Sequence, residues 1–331
     1  VPRASSAAEM EVERPRQGGS RGARVVNALR SLAVVVVVAF ACYYLTRNWG
    51  EFWATISGIA WQSSALSLLV LCMAIAVTTY GWRVIVDDIG PPVGYRKAAQ
   101  VFLVGQLGKY APGSVWLYLL QMELGKKAGL SRARVFTAAL VHTGIGLVIG
   151  MLVGVVALPV IFDSSPAARW VLVLLPVGLV AMHPGILTWM TSLVLRVLRK
   201  RGLDHRLRMP TIGRIIGASG VAKLLQGLHL WLLANSVGTP GLLGLLLCAG
   251  AMSLGMAAGT AAPVFPAGVG AREGVIVAVL VVSGIGAAQA AAFAAASRVM
   301  FILADLVTAA GSAALARTAY RPGRERAGRP R

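Results

Sequence analysis

Apolar residues run in long blocks along this chain, and the polar residues gather between the blocks. Apolar stretches fall near residues 28–46, 64–86, 135–162, 170–196, 212–237, 241–262, 271–285 and 287–316. All but 271–285 reach roughly the 20 residues that a helix needs to cross about 30 Å of hydrocarbon. In lipid each backbone N–H and C=O must be satisfied within its own segment, so blocks of this length are helices. The pattern predicts an all-α, polytopic membrane bundle of about eight spans.

A further apolar stretch does not fit the series. VFLVGQLGKYAPGSVWLYLLQ, residues 101–121, has the length of a span, yet Gln106, Lys109, Tyr110 and the run Ala111-Pro112-Gly113-Ser114 occupy its middle. Pro112 lacks a backbone donor and biases Ala111 away from helix. Gly113 permits a sharp turn and Ser114 is a good N-cap. One half-helix is therefore expected to end near Tyr110 and a second to begin around Ser114. The free N–H groups of that second half-helix would form an anion site, with Lys109 beside it. The competing role for Lys109 is a cap on the first half-helix, its stem reaching toward the interface. Trp116 and Tyr118 read as interface anchors rather than ligand stackers.

Charge decides how this stretch sits. If it enters from the cytoplasm and returns, every Lys and Arg outside the apolar runs except Arg47 and Arg169 lies on the cytoplasmic side. If it crosses, the basic cluster Arg196–Arg214 and the basic C-terminus face outward, against the positive-inside rule. A re-entrant hairpin at 101–121 is the expectation, with both termini cytoplasmic and the chain in a bacterial plasma (inner) membrane. Residues 1–24 read as a disordered basic tail, 25–317 as a single transmembrane domain and 318–331 as a second basic tail.

Composition sharpens the class. Charged residues are 13% and hydrophobic residues 57% of 331 positions, about half the charged fraction of a soluble domain. The formal net charge of +20 is a loop and tail property, without the basic groove and interleaved aromatics of a nucleic-acid binder. Cys42, Cys72 and Cys248 lie far apart within apolar runs, which fits neither a disulfide framework nor a metal site. No cofactor motif is present.

A second broken segment is APVFPAGVGAREGV, residues 262–275. Pro263 and Pro266 interrupt an apolar run, Gly268 and Gly270 bend the chain, and a helix is expected from about Ala271. Glu273 suits the first turn of that helix; Arg272 does not, because a cation is disfavoured there. Either Glu273 or a bound anion must compensate for it. Two interrupted apolar segments in opposite halves of a membrane protein point to a transporter-type site at mid-depth. Gly146, Gly150 and Gly154, and likewise Ala251, Gly255 and Gly259, form small-residue stripes that read as helix packing.

Other polar residues inside the spans are few. Arg298 and Asp305 share one face of the last span, and Lys223 lies in another; they are candidates for an interhelical ion pair or a relay. Arg83, Asp87 and Asp88 sit at a span end. Gly217-Ala218-Ser219-Gly220 has the form of an intramembrane protease motif, but the following His229 lies on the same expected helix. His142 and His183 lack metal-ligand spacing.

The motifs GQLGKYAPGSVW and FPAGVGAREG, in this order, resemble the lysylphosphatidylglycerol synthase transmembrane-region family. Its members are flippase-like membrane proteins related to the membrane portion of the multiple peptide resistance factor. The resemblance covers about residues 28–316. It implies a helical bundle with re-entrant segments that moves or handles a lipid with a charged headgroup, and it maps functional positions to Lys109, Pro112, Gly113, Arg272 and Glu273. Only a short basic tail follows Leu315, so the expectation is a chain without the cytosolic aminoacyl-transferase domain. Three functions are carried forward. The first is a lipid translocase binding an anionic or zwitterionic headgroup, either a membrane phospholipid or a lipid-linked phosphate. The second is an integral-membrane enzyme, for which only Asp305, Glu273 and Glu123 offer themselves as bases. The third is a non-catalytic partner of a separately encoded lipid or glycosyl transferase. A translocase is favoured over an enzyme, and a homo-oligomer is compatible with all three.

Overall fold

Long apolar helices need neighbours for their few polar groups, and the way they pack here fixes where those groups meet. The computed structural model describes residues 46–111, 115–155, 207–235, 241–261 and 268–319. These form helices α1 (Trp49–Gly58), α2 (Trp61–Ile89), α3 (Tyr95–Gln106), α4 (Val115–Lys127), α5 (Arg132–Gly154), α6 (Met209–Asn235), α7 (Leu242–Ala261), α8 (Ala271–Val282) and α9 (Ala287–Ala319). A 3-10 turn, Leu107–Tyr110, continues α3. No strand occurs among the described residues, and the chain is an all-α membrane protein.

Helices α2, α5, α6, α7 and α9 are long and apolar enough to cross a membrane. They match the expected spans at 64–86, 135–162, 212–237, 241–262 and 287–316. The expected spans at 28–46 and 170–196 and both tails lie wholly or almost wholly outside the described residues. The expected span at 271–285 is corrected: α8 has 12 residues, about 18 Å of helix, too short to cross on its own. It ends where Gly284 takes φ +92° and Ile285 N–H donates to Leu280 C=O at 3.1 Å, a Schellman stop.

The outward surface is apolar. Leu66, Leu69, Met73, Val221, Leu224, Leu306 and Val307 are exposed along the spans, as lipid-facing positions are. Trp49, Trp53 and Trp61 are exposed around the start of α2, where interfacial aromatics anchor a helix end.

Inside, there are two packed cores. One gathers Trp82, Ile85, Phe102, Ile145 and Ile215 from α2, α3, α5 and α6. The other gathers Leu71, Leu230, Met252, Ile276, Phe293 and Phe301 from α2, α6, α7, α8 and α9. Helix α6 runs through both and packs most extensively on α2.

Two helical hairpins complete the bundle. In the first, α4 folds back on α3. A Cβ on Gly105 would stand 2.3 Å from the Gln121 side chain, and one on Gly108 would meet the Trp116 carbonyl at 2.7 Å. Rising position on α3 is matched by falling position on α4, which makes the pair antiparallel. In the second, α8 folds back on α7: Gly255 lies against Arg272 and Ile276, and Gly259 against Gly268. Gly268 has φ +67° and Gly270 φ +87°, and a Cβ on Gly268 would stand 2.5 Å from Gly259 Cα. Only glycine satisfies both the dihedral and the approach. The stripe Gly146–Gly150–Gly154 divides: Gly154 meets Leu254, Gly150 meets Ser253 and Lys223, and Gly146 has nothing within 4 Å.

Candidate functional site

The two cores leave a gap. On α6 the residues Ala218 to Gln226 lie between Ile215, in one core, and Leu230, in the other. These residues, with Thr78, His142, Thr143 and Gly146 from α2 and α5, line a cavity of about 290 Å³. The first hairpin contributes Gln106, Lys109, Tyr110, Leu117 and Tyr118; the second contributes Gly259, Thr260, Gly268 and Arg272; α9 contributes Arg298 and Phe301. Lys223 stands at the middle of α6 and His142 at the middle of α5, so the cavity lies at mid-depth of the spans. Its size is at the lower edge of ligand pockets.

Four cations face this cavity: Lys109, Lys223, Arg272 and Arg298. Two have carboxylate partners behind the wall. Lys109 Nζ lies 2.5 Å from Asp305 Oδ2, and the Tyr110 hydroxyl donates to the same oxygen at 2.5 Å. Arg298 Nη1 lies 3.1 Å from Glu273 Oε1, while Glu273 Oε2 accepts from the Gly270 N–H at 2.8 Å. Glu273 therefore caps the N-terminus of α8 and anchors Arg298. Gly270 has no side chain to return a bond, so this is half of a capping box.

The ion pairs differ from those the sequence suggested. Asp305 and Arg298 each make an interhelical ion pair, but with Lys109 and Glu273 of the two hairpins, and Lys223 joins neither carboxylate. Lys109 does not cap its own half-helix but crosses to α9. Tyr118 is corrected from an interface anchor to a cavity residue, packed edge-on against Phe136; Trp116 is exposed, as an anchor would be. Pro112, Gly113 and Ser114 lie outside the described residues. The flanks of that break are described: Ala111 is extended at φ −74°, ψ 147°, as a residue before proline should be.

Among the described residues, no carboxylate forms an ion pair with Arg272. It is 5% exposed, its guanidinium lies 4.0 Å from the Phe301 ring centroid, and Nη2 donates to Ser297 Oγ at 3.2 Å. Its Nε has no partner. Ser297 belongs to a buried chain: His229 Nε2 lies 3.0 Å from Ser297 Oγ, His229 Nδ1 lies 2.6 Å from Ser67 Oγ, and Ser67 donates to the His229 carbonyl at 3.1 Å. One proton placement satisfies all of them. Nδ1–H donates to Ser67, and Ser297 O–H donates to Nε2, which frees Ser297 Oγ to accept from Arg272. His229 is thus held between Ser67 and Ser297, and Ser297 in turn holds Arg272.

Sequence reasoning missed this chain and also missed the polar wall of α6. A usable signal was present: Ser219, Lys223 and Gln226 recur at four- and three-residue spacing on an otherwise apolar helix. Gln226 Oε1 and His142 Nδ1, both on residues lining the cavity, are buried without a partner. Among the described residues no group of three or more His, Cys, Asp or Glu could hold a metal ion. Cys72 and Cys248 are free thiols. At the span end, Asp87 pairs with Arg83 at 3.1 Å and Asp88 accepts from Thr211 at 3.0 Å.

A multi-pass helical membrane protein with a cation-walled cavity between paired hairpins is the class that fold and site define. The sequence profile described as lysylphosphatidylglycerol synthase TM region matches residues 27–308, and the chain belongs to that family, as the two motifs indicated. A search among curated proteins finds no match.

Proposed function

We propose that this protein is a lipid translocase of the flippase type, binding the anionic or zwitterionic headgroup of a membrane phospholipid or lipid-linked phosphate at its two hairpins. The observation that carries the reading is the mid-depth cavity, whose wall holds four cations from both hairpins, α6 and α9. A charged headgroup crossing hydrocarbon needs such a replacement for its hydration. The acyl chains would remain in the bilayer along the exposed apolar faces. In this reading the α3–α4 hairpin enters from the cytoplasmic side and returns, with both termini cytoplasmic. Both carboxylates behind the cavity, Asp305 and Glu273, are committed to cations, which favours translocation over acid–base chemistry.

The test is lipid flipping in proteoliposomes containing fluorescent phospholipids. A variant carrying Lys109→Ala and Arg272→Ala is expected to lose most flipping while retaining the elution profile of the folded protein. Unchanged rates in that variant would sink the reading.

A further inference from the structure

Among the described residues, the charges around the cavity do not cancel. Of the four cations, Lys109 is balanced by Asp305 and Arg298 by Glu273. Lys223 and Arg272 have no carboxylate within ion-pair distance among the described residues. The other carboxylates whose ion pairs are described are engaged elsewhere: Asp87 with Arg83, Asp88 with Arg208, and Glu123 with Arg132. Two like charges therefore face one small cavity at mid-depth, where the desolvation cost of an uncompensated charge is highest. The polar atoms left unpartnered next to them belong to residues of the same wall: Arg272 Nε, Gln226 Oε1 and His142 Nδ1.

We infer that the cavity is built for a group carrying two negative charges, a phosphate monoester or terminal phosphate, with Lys223 and Arg272 as the residues that balance the two charges. A phosphodiester carries one negative charge and would leave one cation unbalanced. A zwitterionic headgroup would add a cation to a site already in excess of them. Hydrogen bonds from charged donors shorten and strengthen on phosphate oxygens. The planar guanidinium, held by Ser297 and Phe301, supplies paired donors, and Lys223 of the same cavity wall supplies a point charge. This inference rests on the lipid-handling reading for its source of phosphate, but the charge argument stands independently.

The experiment compares lipids of identical acyl chains. The purified protein, in detergent at about pH 8, is titrated with phosphatidate, phosphatidylglycerol and phosphatidylcholine, with thermal stabilisation and native mass spectrometry as readouts. Above about pH 6 the second phosphate proton is largely lost. Phosphatidate is expected to bind about tenfold or more tightly than phosphatidylglycerol, the difference that one charged hydrogen bond supplies. Lys223→Met, which removes a charge from a membrane helix without shortening it, is expected to abolish that preference; Lys223→Arg is expected to keep it. Equal affinity for phosphatidate and phosphatidylglycerol would overturn the inference, as would a preference unchanged in Lys223→Met. Inorganic phosphate is added as a competitor. Displacement of bound phosphatidate supports recognition of the dianion carried by a lipid. Protection by inorganic phosphate without any lipid binding supports the dianion site and removes the translocase reading instead. Flipping of all headgroups at one rate, with no binding preference, does the reverse.

Discussion

The α3–α4 hairpin offers a cation to α9, and the α7–α8 hairpin offers an anion to the same helix. Lys109 of the first meets Asp305; Glu273 of the second meets Arg298. Arg298 and Asp305 are two turns apart on one face of α9, about 10 Å along its axis, so a single helix latches both hairpins with opposite charges. Their construction differs as well. The first joins two short helices through a 3-10 turn at Leu107–Tyr110. The second folds a short helix onto a full span through glycines in left-handed conformation. The first hairpin's cation is fully matched, whereas Arg272 of the second is left with a ring, a hydroxyl and an unpartnered Nε. The first pair latches its hairpin while Lys109 also lines the cavity, whereas the second hairpin adds to its latch a cation with no carboxylate partner among the described residues.

The strongest way to break this comparison is to unlatch the first hairpin. Asp305 is 4% exposed, so Asp305→Ala strands Lys109 and the Tyr110 hydroxyl. Removing one member of a buried pair costs roughly 3–5 kcal/mol. Since the Lys109 side chain is 27% exposed, the expected loss falls below that range, about 2–3 kcal/mol, read as a fall in the unfolding midpoint in detergent. The double variant Lys109→Met/Asp305→Leu should recover most of it. A double variant as unstable as Asp305→Ala would show that the pair is not what holds the hairpin.

Next comes the approach of backbones. Gly268→Ala forces a side chain into a left-handed residue that stands against Gly259, and about 1–3 kcal/mol of destabilisation is expected. Gly108→Ala in the first hairpin should cost a similar amount against the Trp116 carbonyl. The control Gly220→Ala faces open space and should be neutral or slightly stabilising, by helix propensity. A smaller effect, of about 1 kcal/mol, is expected from Glu273→Gln, which keeps an acceptor for the Gly270 N–H and removes the charge that pairs with Arg298. That variant sharpens the contrast in a second way: removing the negative charge of Glu273 from beside the cavity should tighten binding of an anionic lipid even as the protein loses stability. Weaker binding would mean that Arg298 needs Glu273 to hold its position. The least effect belongs to Ser297→Ala, expected to leave the unfolding midpoint within a few degrees while lowering anion affinity severalfold, because Arg272 loses its orienting hydroxyl.

Much of this arrangement was legible before any coordinates. Segment lengths and apolar runs located the described spans, because lipid forces hydrogen bonding within each segment. The helix ends that flank the two breaks, at Tyr110 and Val115 and at Ala261 and Ala271, were legible because proline and glycine act on the local backbone. The side-chain partners were not legible. Lys109 reaches Asp305 across almost 200 positions of chain, and no local rule links them. Arg272 illustrates the same limit. Its position in a helix's first turn announced a need for compensation, but only packing revealed that Glu273 is spent on Arg298 and Gly270.

By itself the sequence determined the solvent, the helical class and the places where helices break, since each follows from a segment's own composition. The tertiary structure decided which cations share a cavity, which of them are neutralised and which polar atoms remain without partners. Those are sums over residues brought together from distant segments, and charge balance in a low-dielectric cavity depends on distance in space rather than along the chain.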